Sequence, residues 1–217
     1  HVHSLHAYFI LGGDPGEPVR YEVARLRNGR SFTTREVTAR QSGGAILTLI
    51  CSFQAEEEGA EIQSASFPSD VPPPDPARIE QDAGVERVDV ALDASPPRSR
   101  AWVRYPYPLG DDPRLHACAL AYLADTNPMT AIRAGHPRGG MGDDASRRVF
   151  MSASLDHAMW FHRPLRCDQW LLLDMDGHGI IDNRGLATGL AFSTDGTHVA
   201  TIAQEGLLRL LRNPDPS

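Results

Sequence analysis

The stretch Ser4-Leu5-His6-Ala7-Tyr8-Phe9 returns far down the chain as Ser154-Leu155-Asp156-His157-Ala158-Met159-Trp160-Phe161. Each copy is followed by a polar turn, an alternating apolar stretch, an Arg/Gly/Asn turn and a hairpin pattern. A repeat of this size means one structural unit used twice, with a pseudo-dyad between the copies. Chemistry is expected where the copies differ.

The first block, about residues 3 to 54, reads as four strands: Ser4–Leu11, Val19–Arg27, Ser31–Arg40 and Ala45–Phe53. Ser42-Gly43-Gly44 turns the last pair, and Ala45, Leu47, Leu49, Cys51 and Phe53 share one face. Residues 55 to 80 are acidic and proline-rich (Glu56-Glu57-Glu58, Pro72-Pro73-Pro74), which predicts an exposed linker. Two strands follow, Val85–Leu92 and Arg100–Tyr105, and then one strong helix. Asp112 is its N-cap and Pro113 its first residue. The run Leu115-His116-Ala117-Cys118-Ala119-Leu120-Ala121-Tyr122-Leu123-Ala124 is apolar on all sides apart from His116. Such a helix is expected to be surrounded by protein. The second block, about 149 to 211, repeats the meander as Val149–Arg163, Gln169–Asp176, Gly185–Ser193 and His198–Leu210, the last pair joined by Thr194-Asp195-Gly196-Thr197. The organisation is therefore residues 1–54, a linker with one strand over 55–97, and a second unit over 98–217.

At 217 residues the chain can bury a substantial core. Its net charge of −7 argues against nucleic acid as the main partner, because phosphate neutralisation needs a clustered basic surface. No lysine is present, so every fixed cation is an Arg, the side chain suited to forked phosphate contacts. Cys51, Cys118 and Cys167 are widely spaced, unlike a disulfide framework or a zinc motif, and point to a reducing, cytoplasmic setting. The longest aliphatic run, Ala45 to Cys51, is too short to span a bilayer. His157 and His162 lie five apart in a predicted strand and face opposite sides, so no metal is expected from them.

The order strand, buried helix, long meander is that of a hotdog unit, and the fold expected is α+β: two repeated curved antiparallel sheets, each wrapped round a buried helix. By the same logic the first block should follow a strand and helix of its own, about 50 residues that the sequence in hand does not contain. Val2-His3-Ser4-Leu5-His6-Ala7-Tyr8-Phe9, Arg27-Asn28-Gly29-Arg30-Ser31-Phe32, Ala39-Arg40-Gln41, Ser52-Phe53-Gln54, the run Ser154 to Arg163, and Gln204-Glu205-Gly206 together resemble the acyl-CoA thioesterase II family of double-hotdog enzymes. The resemblance covers both repeats and nearly all of the chain outside the linker.

The resemblance implies hydrolysis of medium- to long-chain fatty acyl-CoA to free acid and CoA, with no cofactor, in a homodimer or homotetramer. It also implies a catalytic trio of Asp125, Ser154 and Gln204. Where that family usually has Thr, Ser154 keeps the hydroxyl and loses the β-branch that stiffens it. Thioester hydrolysis needs a held water, a proton acceptor, and donors aimed at the developing oxyanion. Asp125 suits the base, Ser154 and Gln204 the positioning of water, and backbone N–H groups at a buried helix N-terminus the oxyanion. Direct attack by Ser154 would need a base within reach, and His157, three residues on in a predicted strand, is expected on the opposite face. Arg138, Arg147, Arg148 and Arg184 are candidates for the phosphorylated head group, and Trp160 for the acyl slot. Two other classes stay open at this point: a hotdog hydratase acting on enoyl or hydroxyacyl thioesters, and a non-catalytic acyl-CoA-binding protein.

Overall fold

Alternating strands need edge partners and a covered apolar face; here the two repeats join edge to edge into one sheet and the helices supply the cover. The computed structural model describes residues 1–82, 84–92, 95–139 and 143–211. The first block forms β1 (Val2–Phe9), β2 (Arg20–Asn28), β3 (Phe32–Gln41) and β4 (Gly44–Gln54). Then come β5 (Glu80–Asp82), β6 (Val85–Asp89) and β7 (Arg98–Arg104), and the second block adds β8 (Phe150–Ser154), β9 (Asp156–Phe161), β10 (Leu171–Ile181), β11 (Arg184–Ser193) and β12 (His198–Leu210). All belong to one antiparallel sheet of 12 strands, in the order β2-β3-β4-β1-β9-β12-β11-β10-β7-β6-β5, with β8 on β12 beyond the end of β9. The halves meet where the repeated motif pairs with its own copy: Ala7 stands opposite His157 and His6 opposite Ala158. The pseudo-dyad passes between these pairs.

On the inner face lie α1 (Pro113–Ala124), α2 (Pro128–Ala134) and α3 (Asp143–Val149). The Asp112 side chain accepts from the Arg114 N–H, and Pro113 opens α1 as the sequence predicts. The expectation of a helix enclosed on every side is not met. His116, Leu120, Leu123 and Ala124 are buried, whereas Leu115, Cys118 and Tyr122 are exposed. An apolar run fixes that a helix must be covered somewhere; which faces are covered depends on the neighbours.

Helix α2 is absent from the sequence reading, because seven residues are too few to show a period. It packs on β7, β10, β11 and β12, with Ala131 and Ile132 almost fully buried. Close approach is possible because three facing positions lack a Cβ: one added at Gly177 would run into the Ala131 carbonyl, one at Gly185 into Ile132, and one at Gly206 into the Met129 sulfur.

The outer face of the second half also needs cover, since Val88, Trp102, Leu172 and Phe192 point outward and are buried. Ala65, Phe67, Val71 and Ile79 from the acidic, proline-rich segment pack against them. The Trp102 indole donates to Pro72 O at 2.8 Å, and Arg100 bridges Asp70 and Asp174. The expectation of an exposed linker therefore holds for residues 55 to 64 and fails from Ala65, where partly covered residues begin. Its scattered apolar residues answer outward-facing apolar positions that only the sheet reveals.

Candidate active site

β8 and β9 run along the same side of β12, but not as one regular strand. Ser154 stands opposite Gly206 and Ala158 opposite Ala203, so residues 155, 156 and 157 face only 204 and 205. This is a β-bulge. The Leu155 N–H donates to Glu205 O at 2.9 Å, and the Glu205 N–H donates at 2.6 Å to the Asp156 carboxylate, which takes the place of a backbone acceptor. A slip of one residue turns every following side chain to the other face. His157 consequently lies on the same face as Ser154 and Gln204, and the sequence expectation of opposite faces is corrected. That expectation assumed one unbroken strand from Val149 to Arg163, whereas the chain is helical to Val149 and bulged at Leu155.

On this face the side chains of Asp125, Ser154 and Gln204 form one connected chain. The Ser154 hydroxyl donates to Asp125 Oδ1 at 3.0 Å, and Gln204 Nε2 donates to Ser154 Oγ at 2.8 Å. His157 Nδ1 lies 2.6 Å from Gln204 Oε1. Gln204 is 0% exposed and His157 4%. Burial pushes the His157 imidazole below its usual range, against the pull of its contact with Gln204 and of the carboxylates of Asp125 and Asp156.

Asp125 caps the C-terminal end of α1, in the turn that leads into α2. Asn127 fixes that turn to the sheet and is 0% exposed. Its Oδ1 accepts from Ser99 Oγ at 2.6 Å and Arg87 at 2.7 Å, while its Nδ2 reaches the carbonyls of Ser99 and Leu173. With its side chain committed there, Asn127 makes no capping bond to α2. The sequence reading missed this anchor. Its one signal, an Asn beside the helix end, reads locally as a turn residue.

The candidate binding residues are placed less uniformly. Trp160 is on the opposite face from the trio, alternating with His157 and Met159 along β9, and is half exposed. Arg184 also lies on that outer face, paired with Glu205 at 3.0 Å. Arg138 and Arg148 are exposed in the α2–α3 region, and the side chain of Arg147 lies outside the described residues. Instead the structure lines a cleft of about 140 Å³ with Thr126, Met129, Thr130, Arg133, Ser146, Phe150 and Ser152. It adjoins the trio in the chain, since Thr126 follows Asp125 and Ser152 shares the Ser154 face of β8. Arg133 is the cation in its wall, bonded to Thr130 Oγ1 at 3.3 Å, and was not singled out from the sequence.

Counting donors and acceptors shows what the cluster can do. Asp125 Oδ2 makes no hydrogen bond to a described residue, the second N–H of Gln204 Nε2 has no other described partner, and Ser154 Oγ keeps a lone pair. Together they offer a proton acceptor, a donor and a further acceptor around one small polar molecule. Among the described residues, no group of three or more His, Cys, Asp or Glu side chains is arranged to hold a metal ion, and no helix is long and apolar enough to cross a membrane.

A continuous antiparallel sheet holding helices on one face is the hotdog architecture. A solved hot dog fold protein of unknown function from Alicyclobacillus acidocaldarius superposes with a TM-score of 0.74 at 20% identity, covering 96% of this chain and 78% of that one. Residues 1–54 match the family model of the acyl-CoA thioesterase N-terminal domain and residues 54–208 that of the C-terminal domain. The crystal structure of an acyl-CoA thioesterase II from Mycobacterium marinum matches with a TM-score of 0.84 at 37% identity, over 99% of this chain and 83% of that one. Acyl-coenzyme A thioesterase 8 of Mus musculus is 35% identical, over 97% of this chain and 73% of the mouse protein. The chain belongs to the acyl-CoA thioesterase family, and it is a thioesterase.

Proposed function

We propose that the chain hydrolyses medium- to long-chain fatty acyl-CoA through a water held by Asp125, Ser154 and Gln204. The observation that carries this reading is the unbroken hydrogen-bonded run Gln204–Ser154–Asp125, ending in a carboxylate oxygen that no described residue engages. In the proposed step the water donates one hydrogen bond to Asp125 Oδ2 and one to Ser154 Oγ, and accepts from the second Gln204 N–H. Its oxygen attacks the thioester carbon as Asp125 takes a proton. The tetrahedral intermediate then expels CoA thiolate, which recovers that proton from Asp125, leaving fatty acid, CoA and the starting carboxylate. Proton transfer of this kind contributes roughly 10²- to 10⁴-fold, and orientation of the water adds to it.

The cleft beside α2, with Arg133 in its wall, supports binding of the substrate there. Each buried methylene adds about 0.8 kcal/mol, so longer chains are favoured in any sufficiently deep slot. Three free cysteines fit a reducing compartment such as the cytoplasm. The exposed Tyr21, Val23 and Leu26 of edge strand β2 fit self-association.

The direct bond from Ser154 to Asp125 also suits a second reading, in which Ser154 attacks with Asp125 as its base. Thiol release from acyl-CoA of graded chain length, measured with wild type and Gln204→Ala, tests the proposal. Wild type is expected to release thiol and the variant to lose most of that rate. An enzyme that binds acyl-CoA without releasing thiol, or a variant as fast as wild type, overturns it. An acyl group found covalently on Ser154 by mass spectrometry during turnover selects the second reading.

A further inference from the structure

We propose that His157 is a positioning residue for the site, whose Nδ1–H holds the Gln204 carboxamide with its nitrogen towards Ser154. The inference rests on the hydrolytic reading above. It follows from donor bookkeeping along one line of four side chains. A carboxylate at Asp125 can only accept, so at 3.0 Å the proton between the two groups belongs to Ser154. Ser154 has no second proton, so at 2.8 Å from Gln204 its oxygen can only accept, and the Gln204 atom facing it must be Nε2. The other end of that amide is then a carbonyl oxygen, which can only accept, and it lies 2.6 Å from His157 Nδ1. His157 therefore carries its proton on Nδ1. Reversing the amide would set its oxygen against Ser154, draw the hydroxyl proton away from Asp125, and leave two acceptor oxygens facing each other.

A second observation agrees. His157 Nε2 is buried with no hydrogen-bond partner among the described residues. In water a neutral imidazole favours the proton on Nε2, where here it would be buried with nothing to accept it. A bare nitrogen is the less demanding occupant, and the fold thus favours the tautomer that Gln204 requires. The arrangement occurs once among the described residues. His6 is the counterpart of His157 across the pseudo-dyad, but the residue opposite it on β4 is Ile50 where Gln204 stands on β12, and His6 reaches instead to Asp156 at 2.9 Å. The bulge at Leu155 and Asp156 is what brings His157 to this face, so the bulge serves the amide rather than the sheet.

The test compares His157→Asn with His157→Phe and reads the wild-type tautomer by ¹⁵N NMR. An Asn side-chain amide can place N–H where Nδ1 was, whereas Phe fills the space without a donor. Phe is expected to lower kcat for acyl-CoA thiol release by about 10- to 100-fold with KM within about threefold, and Asn to restore kcat to within about threefold of wild type. The NMR spectrum is expected to show the His157 proton on Nδ1. The proposal is overturned if Phe keeps the wild-type kcat, if Asn folds yet is as slow as Phe, or if the proton sits on Nε2. The NMR result does not depend on turnover, so it decides the proposal even if both variants misfold. Loss of thiol release in Gln204→Ala is read separately, so failure of the hydrolytic reading is distinguishable from failure of this one.

Discussion

Replacing Asp125 by Asn tests the chemistry with the least disturbance of shape. The Asn oxygen can still accept from the Ser154 hydroxyl, now 3.0 Å from Oδ1, which turns the Asn nitrogen to the place of Oδ2. That nitrogen donates and cannot take a proton from water. The missing base step is worth about 10²- to 10⁴-fold, equivalent to about 3–5 kcal/mol of barrier. Stability should change far less: a hydrogen bond to a charged group contributes about 1.5–3 kcal/mol and a neutral one about 0.5–1.5. The difference of about 1 kcal/mol moves Tm by about 2–4 °C in a domain of this size. Thiol release from acyl-CoA under saturating substrate, beside a thermal melt, measures both. A folded Asp125→Asn enzyme with kcat within about threefold of wild type would refute the assignment of Asp125 as base.

Asp156→Ala should leave the Glu205 amide without its side-chain acceptor, destabilising the fold by about 1–3 kcal/mol in urea titration and lowering kcat through the bulge, while Asp156→Asn keeps an acceptor and most of both. Wild-type behaviour of the Ala variant would remove the bulge from the account. Gly206→Val should drive a side chain into Met129 of α2 and lower stability by about 1–3 kcal/mol, with Gly43→Ala, which meets nothing, as the neutral control. His157, His162 and His198 are all pushed below the usual imidazole range, chiefly by burial. Their unfolded forms bind protons near pH 6.5 that the folded forms refuse, so stability is whole above that point and falls as pH drops below it. Melting at about pH 7.5 and about pH 5.5 should show a lower Tm at the acid value and a smaller drop in His157→Asn; an equal drop in the variant would remove His157 from this effect.

The hairpin at Thr194 to Thr197, strand β12 from His198 to Leu210, and the capped start of α1 at Asp112 and Pro113 were all legible in the sequence. Each depends on neighbours within a few positions: a two-residue alternation, a turn dipeptide, a side chain that caps its own helix. The repeat likewise announced two copies of one unit, and resemblance singled out Asp125, Ser154 and Gln204, which the fold brings into contact. Only the tertiary structure could put His157 beside Gln204, because the bulge at Leu155 and Asp156 is defined by what stands opposite on β12 and not by any local pattern. The same holds for Asn127, whose partners Ser99, Arg87 and Leu173 are distant in the chain, and for Phe67 and Val71, which cover outward-facing Trp102 and Phe192. Trp160 and Arg184 attract notice as residue types, yet strand parity sets them on the far face. Periodicity belongs to the chain alone, whereas register and the side chains that meet across it exist only once the strands have paired.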